Sequence, residues 1–505
     1  HLRTGNSLAG ATLEDVACRP PGTHRRLASL PLFVDGEAAA ALGRASSARL
    51  SITMLPGETI EQVREKERLL AGVGGGGGPL GRWKTAADLW CAGWVDEAGR
   101  DRRLRGGQFG ALLDQILDRA RVLPAHLSAP LLAAARETAA RDRFFHWTLE
   151  FPEVFFDADG LPLENSGFDA VICNPPWEIL RGRSGGGSPL QTFVRTSGLY
   201  RLQGGGHVNL FQLFVERGLS LVRRAGRFGF VLPSGFASDH GCATLRRHLL
   251  DRTSVDSFLS LENRDGLFPI HRGLKFLLVS GATGGSTSTI ACRFAVRSPE
   301  TLDELADVGV DPAAVPVRRS LIDRLSGDQA AIPELRTVAD LELVSKLAWA
   351  FPMLGDPEGW HLRFGRELNA TDDRRHFVAR LPHREQPSAR SLRTCHPIIE
   401  GKQIRPFVVD LAGARFGIPS RVAATLLNPE QTYGHPRLVY RDVASASNRL
   451  TLIAAIVPAN VVTTHTLFCL KTRVTPALLQ FLCAVFNSYV ANYLVRTRVS
   501  IHVTT

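Results

Sequence analysis

The stretch FDAVICNPPWEIL, residues 168–180, decides the reading of this chain. Phe168 to Cys173 form an apolar, buried-looking run of strand composition that stops abruptly at Asn174-Pro175-Pro176-Trp177. Proline fixes φ and removes a backbone donor, so Pro175 and Pro176 predict a stiff turn rich in unpaired acceptors. In an open parallel sheet, ligands gather beyond the carboxyl ends of the strands, which is where this turn falls. The Asn174 amide oxygen and the Pro175 carbonyl can both accept from one amino group, and the Trp177 indole offers a flat face. Two acceptors and a stacking platform suit an exocyclic amine on an aromatic ring. Holding that amine while its nitrogen turns towards sp³ frees the lone pair for attack, by position and electrostatics alone. The bland alternative is an ordinary turn with Trp177 capping a core.

The surrounding pattern is α/β. Residues 207–226, 227–236, 241–252 and 254–263 read as helix, strand, helix and strand, with Gly226 at the C-terminal end of the first helix. Such alternation with short links implies right-handed crossovers onto a parallel sheet. Residues 274–296 read as a hairpin, two apolar runs around a Gly/Ser/Thr turn. Residues 1–10 look like the end of a strand and a turn. Residues 11–165 are mostly helical by pattern, as in 57–72 with its acidic first turn and helical apolar spacing. The glycine run in GVGGGGGPLGRWKT (72–85) has no strand before it and lacks the phosphate-loop spacing, so it reads as a linker. From about residue 297 the texture changes to short helices (298–308, 337–351), strand-like runs (435–458, 461–472) and a helix or helix pair at 475–499. There are no internal repeats.

Composition bounds the function. The 505 residues suffice for two or three domains, and 44% hydrophobic with 22% charged residues fits an ordinary globular protein. No apolar run approaches the roughly 20 residues of a membrane span, so no membrane partner is expected. Net charge is +11, carried almost entirely by arginine, since lysine occurs only at 66, 84, 275, 346, 402 and 471. Arginine forks match phosphates and guanine edges, so the excess favours a polyanionic partner, although base composition of a genome also biases towards arginine. The eight cysteines include no CxxC pair, and several lie inside apolar runs. They read as buried thiols of a reducing cytoplasm, with neither a metal site nor a disulfide framework.

The stretch FDAVICNPPW resembles the fourth motif of amino-methyltransferases acting on DNA. HWTLEFPEVF (146–155) and GLFPIHRGLKF (266–276) are similar to segments of large bacterial type IIG-like restriction–modification and related phage-defence methylases. The resemblance covers essentially the whole chain. It implies N6-adenine as target, because Ser in place of Asn is commoner for N4-cytosine. It implies that Asn174 and Pro175 hold the adenine amino group, with Pro176 stiffening the turn, and that Trp177 stacks on a base flipped out of the duplex. It implies S-adenosylmethionine as cofactor. GNSL (5–8) matches the third motif, with Asn6 in place of the usual Asp and Ser7 beside it, and NLFQLF (209–214) matches the fifth, so Phe211 lines the cofactor side. RGLKF matches the eighth, so Phe276 packs against the flipped base and Lys275 lies near phosphate. Plain core is the competing role for Phe211 and Phe276.

The implied fold is α/β. A Rossmann-like methyltransferase sheet, incomplete at its N-terminal part, fills 1–297 with a largely helical insertion at 11–165. A mixed α/β target-recognition domain fills 298–505, truncated at its C-terminus. In that second domain IEGKQIRPF (399–407), HPRLVYRD (435–442) and SASNRLT (445–451) interleave basic and polar residues. Lys402, Arg405, Arg437, Arg441 and Arg449 are the candidates for phosphate or guanine contacts with double-stranded DNA, against the alternative of a solvated basic face. Base flipping leads us to expect a cleft between the domains. The family's glycine-rich first motif and its ribose-gripping acid precede the segment matched by GNSL. Because the chain opens on His1 and closes on RVSIHVTT, it is expected to be a piece of a longer protein that supplies both. No PD…ExK pattern occurs, so any nuclease partner would lie outside it. Two other readings stay open: methylation of a protein glutamine or an rRNA guanine, which also uses Asn-Pro-Pro-aromatic turns, and a non-catalytic DNA-recognition fragment or subunit.

Overall fold

The computed structural model describes residues 2–21, 36–74, 77–95, 106–180, 188–205, 207–298, 300–303, 311–380, 394–443 and 449–498. It divides into two compact units: 1–233 with 244–258 and 276–287, and 234–243 with 259–275 and 288–505.

In the first unit, eight helices lie between Leu13 and Phe155 among the described residues: α1 (Leu13–Cys18), α2 (Glu37–Met54), α3 (Ile60–Gly74), α4 (Gly81–Val95), α5 (Gly106–Ile116), α6 (Ala125–Asp142), α7 (Trp147–Glu150) and α8 (Pro152–Phe155). Helix α4 is the centre of this block. Trp83, Ala87, Trp90 and Trp94 recur at helical spacing and are buried, while Ala86 and Cys91 leave room for close approach. Trp90 meets Phe193, which lies on α9 (Pro189–Thr196), edge to face at 6.2 Å. Gly75 and Gly76 of the linker lie outside the described residues.

The sheet begins with β1 (Phe168–Cys173) and continues, after α10 (Leu210–Leu221), with β2 (Val222–Pro233), α11 (Ala243–Arg252), β3 (Thr253–Glu262) and β4 (Lys275–Thr283). Strand order here is β1-β2-β4-β3. Three expectations are corrected. First, α10 stops at Leu221 and residues 222–226 belong to β2, so Gly226 does not cap a helix. It sits instead in a bulge, where the register jumps from Phe168↔Val222 to Ala170↔Arg227. Ala225 takes φ 59° there, and a Cβ on Gly226 would lie 2.7 Å from Val222 Cγ1. Second, residues 274–296 are not a hairpin. β4 lies between β2 and β3, antiparallel to β2, and pairs through the 263–274 loop with β3 rather than with the strand that follows it. β1 and β2 carry the expected parallel pairing. Third, β1 is not buried. It is the edge strand, and Asp169, Ala170 and Ile172 are exposed, Ile172 to 87%. Residues 1–10 hold no strand among the described residues, only an isolated bridge between Asn6 and Phe144.

The second unit holds β5 (Thr289–Val296) antiparallel to β6 (Val315–Arg318), followed by helices Arg319–Ser326 and Val338–Ala350. Its C-terminal part has two four-stranded sheets. One is ordered Val462–Thr463, Cys395–Ile399, Phe416–Pro419, Val378–Ala379, and the other Ala454–Val457, Arg437–Arg441, Leu467–Leu470, Phe364–Gly365. The helix pair Pro476–Phe486 and Tyr489–Arg496 packs Leu479, Leu482 and Phe486 into a core with Leu438 and Tyr440. Residues 299 and 304–308 of the expected 298–308 helix, residues 444–448 and the terminal 499–505 lie outside the described residues. No single helix among the described residues is long and apolar enough to cross a membrane.

Candidate active site

The turn that follows β1 is built from both ends. β1 runs parallel to β2, with Cys173 opposite Phe230, so residues 174–177 emerge at the carboxyl end of the pair. At the far side, Leu210 N–H donates to the Glu178 carbonyl at 2.9 Å and Leu180 N–H donates to the Val208 carbonyl at 2.8 Å. Those two bonds staple the turn to the start of α10, which is the NLFQLF segment. Pro175 is buried, whereas Asn174 and Pro176 are exposed. Among the described residues no protein group hydrogen-bonds the Asn174 side chain, and none donates to the Pro175 carbonyl. Two fixed acceptors are thus left open beside one another in sequence.

Trp177 is half-buried and held on two sides. Its Nε1–H donates to the Val231 carbonyl at 3.4 Å, and its ring lies 6.4 Å from the Phe276 ring at an interplanar angle of 32°. Pro233 of β2 pairs with Phe276 of β4, which brings that phenyl to the same end of the sheet. Phe276 is 1% exposed, so it backs Trp177 and does not itself face a flipped base. Lys275 is half-exposed and bonds Glu334 through Nζ at 3.0 and 3.2 Å, a partner that the sequence reading missed.

The GNSL segment lies against the start of HWTLEFPEVF. Asn6 N–H donates to Arg143 O at 2.7 Å, Trp147 Nε1–H to Ser7 O at 3.1 Å, and Phe145 N–H to Ala9 O at 2.8 Å. The approach is so close that a Cβ on Gly10 would lie 1.9 Å from Phe145 O. His146, buried, locks the join. Its Nδ1 accepts from Ala11 N–H at 3.0 Å, so the ring proton is on Nε2 and faces Asp88 Oδ1 at 3.0 Å. Two segments that resemble one family, 140 residues apart, are brought together here by contacts that no single motif reveals.

As a cofactor cradle these residues do not suffice. The Asn6 side-chain oxygen accepts from Leu8 N–H and closes its own turn, and Phe211 is buried. Neither presents the open polar edge that an adenosine moiety requires, so Asn6 and Phe211 do not by themselves form a cofactor cradle.

The arginine candidates separate by burial. Arg437 is 1% exposed, and its guanidinium forms a two-bonded pair with Glu367 at 2.9 and 2.8 Å and donates to Val461 O. It is withdrawn as a duplex contact, because its charge is neutralised inside the unit. Glu367 also accepts from Thr463 N–H and Oγ1–H at 2.8 and 2.9 Å. Nearby, burial pushes the Cys469 thiol up to about 11, with Glu367 adding to the effect. Arg441 is half-buried and donates to the Ile404 carbonyl; burial, then the Arg405 charge, lower its pKa from the ordinary guanidinium value. Lys402 and Arg405 are exposed, Lys402 paired with Glu400 at 2.5 Å, and Arg449 is exposed while its carbonyl accepts from Arg496.

Residues 105–268 match the family model of the Eco57I restriction-modification methylase. The match runs through the Asn-Pro-Pro-Trp turn, and it bears out the resemblance to restriction–modification methylases read from the sequence. Over 108 residues the chain is 27% identical to the type II methyltransferase M.BsuBI of Bacillus subtilis, covering 21% of this chain and 20% of that protein. The chain thus matches about a fifth of the length of that relative. Among solved structures it is similar to the type IIL restriction-modification enzyme MmeI in complex with DNA (10% identity, 92% of this chain, 63% of that one, TM-score 0.38). It is also similar to the type IIG restriction endonuclease BpuSI (13% identity, 89% of this chain, 66% of that one, TM-score 0.30).

Proposed function

We propose that this chain carries the acceptor site of a restriction–modification methyltransferase that methylates the N6 amino group of adenine in a specific double-stranded DNA sequence. The observation that carries this reading is the exposed Asn174 amide beside a Pro175 carbonyl that accepts no bond, both unbonded among the described residues, with Trp177 held alongside. S-adenosylmethionine supplies an electrophilic methyl group in such a reaction. This chain's own part is to hold the amine. Asn174 Oδ1 and Pro175 O each accept one amino hydrogen, which draws the nitrogen lone pair out of conjugation with the ring and stabilises the charge that develops on nitrogen. Trp177, braced by Val231 and Phe276, takes the face of the flipped base. The buried Pro175 and the staple at 178–180 keep the acceptors from following the base as it moves. Target recognition falls to the region 298–505, where Lys402, Arg405 and Arg449 remain open to a duplex.

The test is transfer of a radiolabelled methyl group to plasmid DNA by the full-length protein. The expected product is N6-methyladenine at one short motif, and Asn174→Ala should abolish it while leaving duplex binding nearly intact. Label recovered on protein or RNA refutes the DNA assignment, and activity retained in the variant refutes the site.

A second reading, a duplex-recognition subunit that methylates nothing alone, is favoured by the engaged Asn6 amide and the buried Phe211. Equilibrium dialysis of S-adenosylmethionine against the full-length protein separates the two, since only the catalytic reading requires saturable binding.

A further inference from the structure

We infer that a cationic cluster around the buried Glu262 is a phosphate clamp for the DNA duplex, a role that rests on the DNA reading above. Glu262 ends β3, and its side chain is only 5% exposed. Four cations surround it: Arg297 Nε at 2.9 Å, Arg264 Nε at 3.4 Å, Lys275 Nζ at 3.8 Å and Arg336 at 4.0 Å. One further carboxylate, Glu334, joins them and bonds Lys275 at 3.0 Å and Arg336 at 2.6 Å. Four cations against two carboxylates leave two positive charges in excess. An ion network that serves stability alone balances its charges, because like guanidinium groups packed about one carboxylate repel each other.

The excess is also accessible. Arg264, Arg297 and Arg336 are 64, 51 and 53% exposed. Arg264 makes no hydrogen bond to protein among the described residues beyond the 3.4 Å approach of its Nε to Glu262.

The cluster is preorganised. Asn263, fully buried, donates through Nδ2 to Phe268 O and Ile270 O at 3.1 and 3.0 Å and accepts from Phe268 N–H at 2.9 Å. That fixes the loop after β3, which carries Arg264 and returns to Lys275. Glu334 and Arg336 are held by the strap in which Glu334 N–H bonds Thr497 O and Ile332 N–H bonds Ala237 O. Charges fixed before the ligand arrives lose little entropy on binding, and a polyanion releases counterions as it neutralises them. The chain's net charge of +11 favours a polyanion over a free phosphate as occupant.

Fluorescence anisotropy of the full chain on a short noncognate duplex, across a salt series, tests this. Arg264→Gln should weaken binding about three- to tenfold and flatten the dependence of log affinity on log salt by about 0.9 for each phosphate released. Glu334→Gln removes a negative charge and should tighten binding several-fold. Neither variant touches the methyl-acceptor turn, so methylation at saturating DNA should persist. Wild-type binding and methylation with both variants unchanged overturns the clamp alone. No duplex binding by the wild type overturns the clamp and the DNA reading together.

Discussion

Two polar constellations sit at strand ends in this chain and have opposite fates. Beyond β1, the Asn174 amide and the Pro175 carbonyl stay open while the backbone under them is stapled at Glu178 and Leu180. At the start of strand Arg437–Arg441, the Arg437 guanidinium bonds Glu367 and Val461 out of reach of solvent. In the sequence both are polar residues next to proline and an apolar run. Burial and pairing separate them. A polar group held in place but left unbonded is available to a ligand, whereas one whose bonds are met inside is architecture.

The largest expected effect tests the architectural side. Arg437→Met strands the Glu367 charge in the interior and should lower stability by about 3–5 kcal/mol, read as a fall in the urea midpoint. The double replacement Glu367→Met with Arg437→Met should recover part of that loss, because both fully buried charges are gone and only the partly exposed Lys471 loses a partner. A variant that melts like the wild type but no longer binds duplex would break the comparison and return Arg437 to the recognition surface.

The open side should behave in reverse. Asn174→Ala should reduce methyl transfer by a factor on the order of 100–1,000, the range for removing one preorganised charge-stabilising group. Its unfolding free energy should move by less than about 0.5 kcal/mol, since the amide bonds nothing among the described residues. A stability loss comparable to the rate loss would make Asn174 a structural residue. Trp177→Phe lies between the two. It keeps a flat ring against Phe276 but loses the bond to Val231 O, so stability should fall by about 1 kcal/mol and transfer by less than in Asn174→Ala.

What was legible in the sequence follows from how local each constraint is. The turn was legible because two adjacent prolines fix it covalently, whatever surrounds them. Helix α10 was legible but its end was not, because VRRAG continues as strand through a bulge that depends on Asp169 and Val222 packing against Gly226. The 274–296 hairpin was a reasonable local reading, overturned by the interposition of β4 between β2 and β3, a pairing that no window of sequence contains. Burial of Arg437 was invisible for the same reason, since its partner Glu367 lies 70 residues earlier. The apolar letters of FDAVIC announced a strand correctly and its burial incorrectly, because exposure depends on what lies beside an edge.

The smallest effect concerns Glu334, where a paired carboxylate lies partly open and combines features of both constellations. Burial works to raise its pKa, but Lys275 and Arg336 outweigh burial and hold the carboxyl below the usual range. A depressed folded-state pKa contributes stability that is fully present above the unfolded value, about 4.3, and is lost as pH falls through the folded value. The wild type should therefore lose stability progressively below about pH 4.3, and Glu334→Gln should flatten that slope, being less stable than the wild type at neutral pH and converging with it in acid. Urea midpoints of both proteins across the acid range decide it. Parallel pH profiles would mean that Lys275 and Arg336 draw no stabilisation from Glu334.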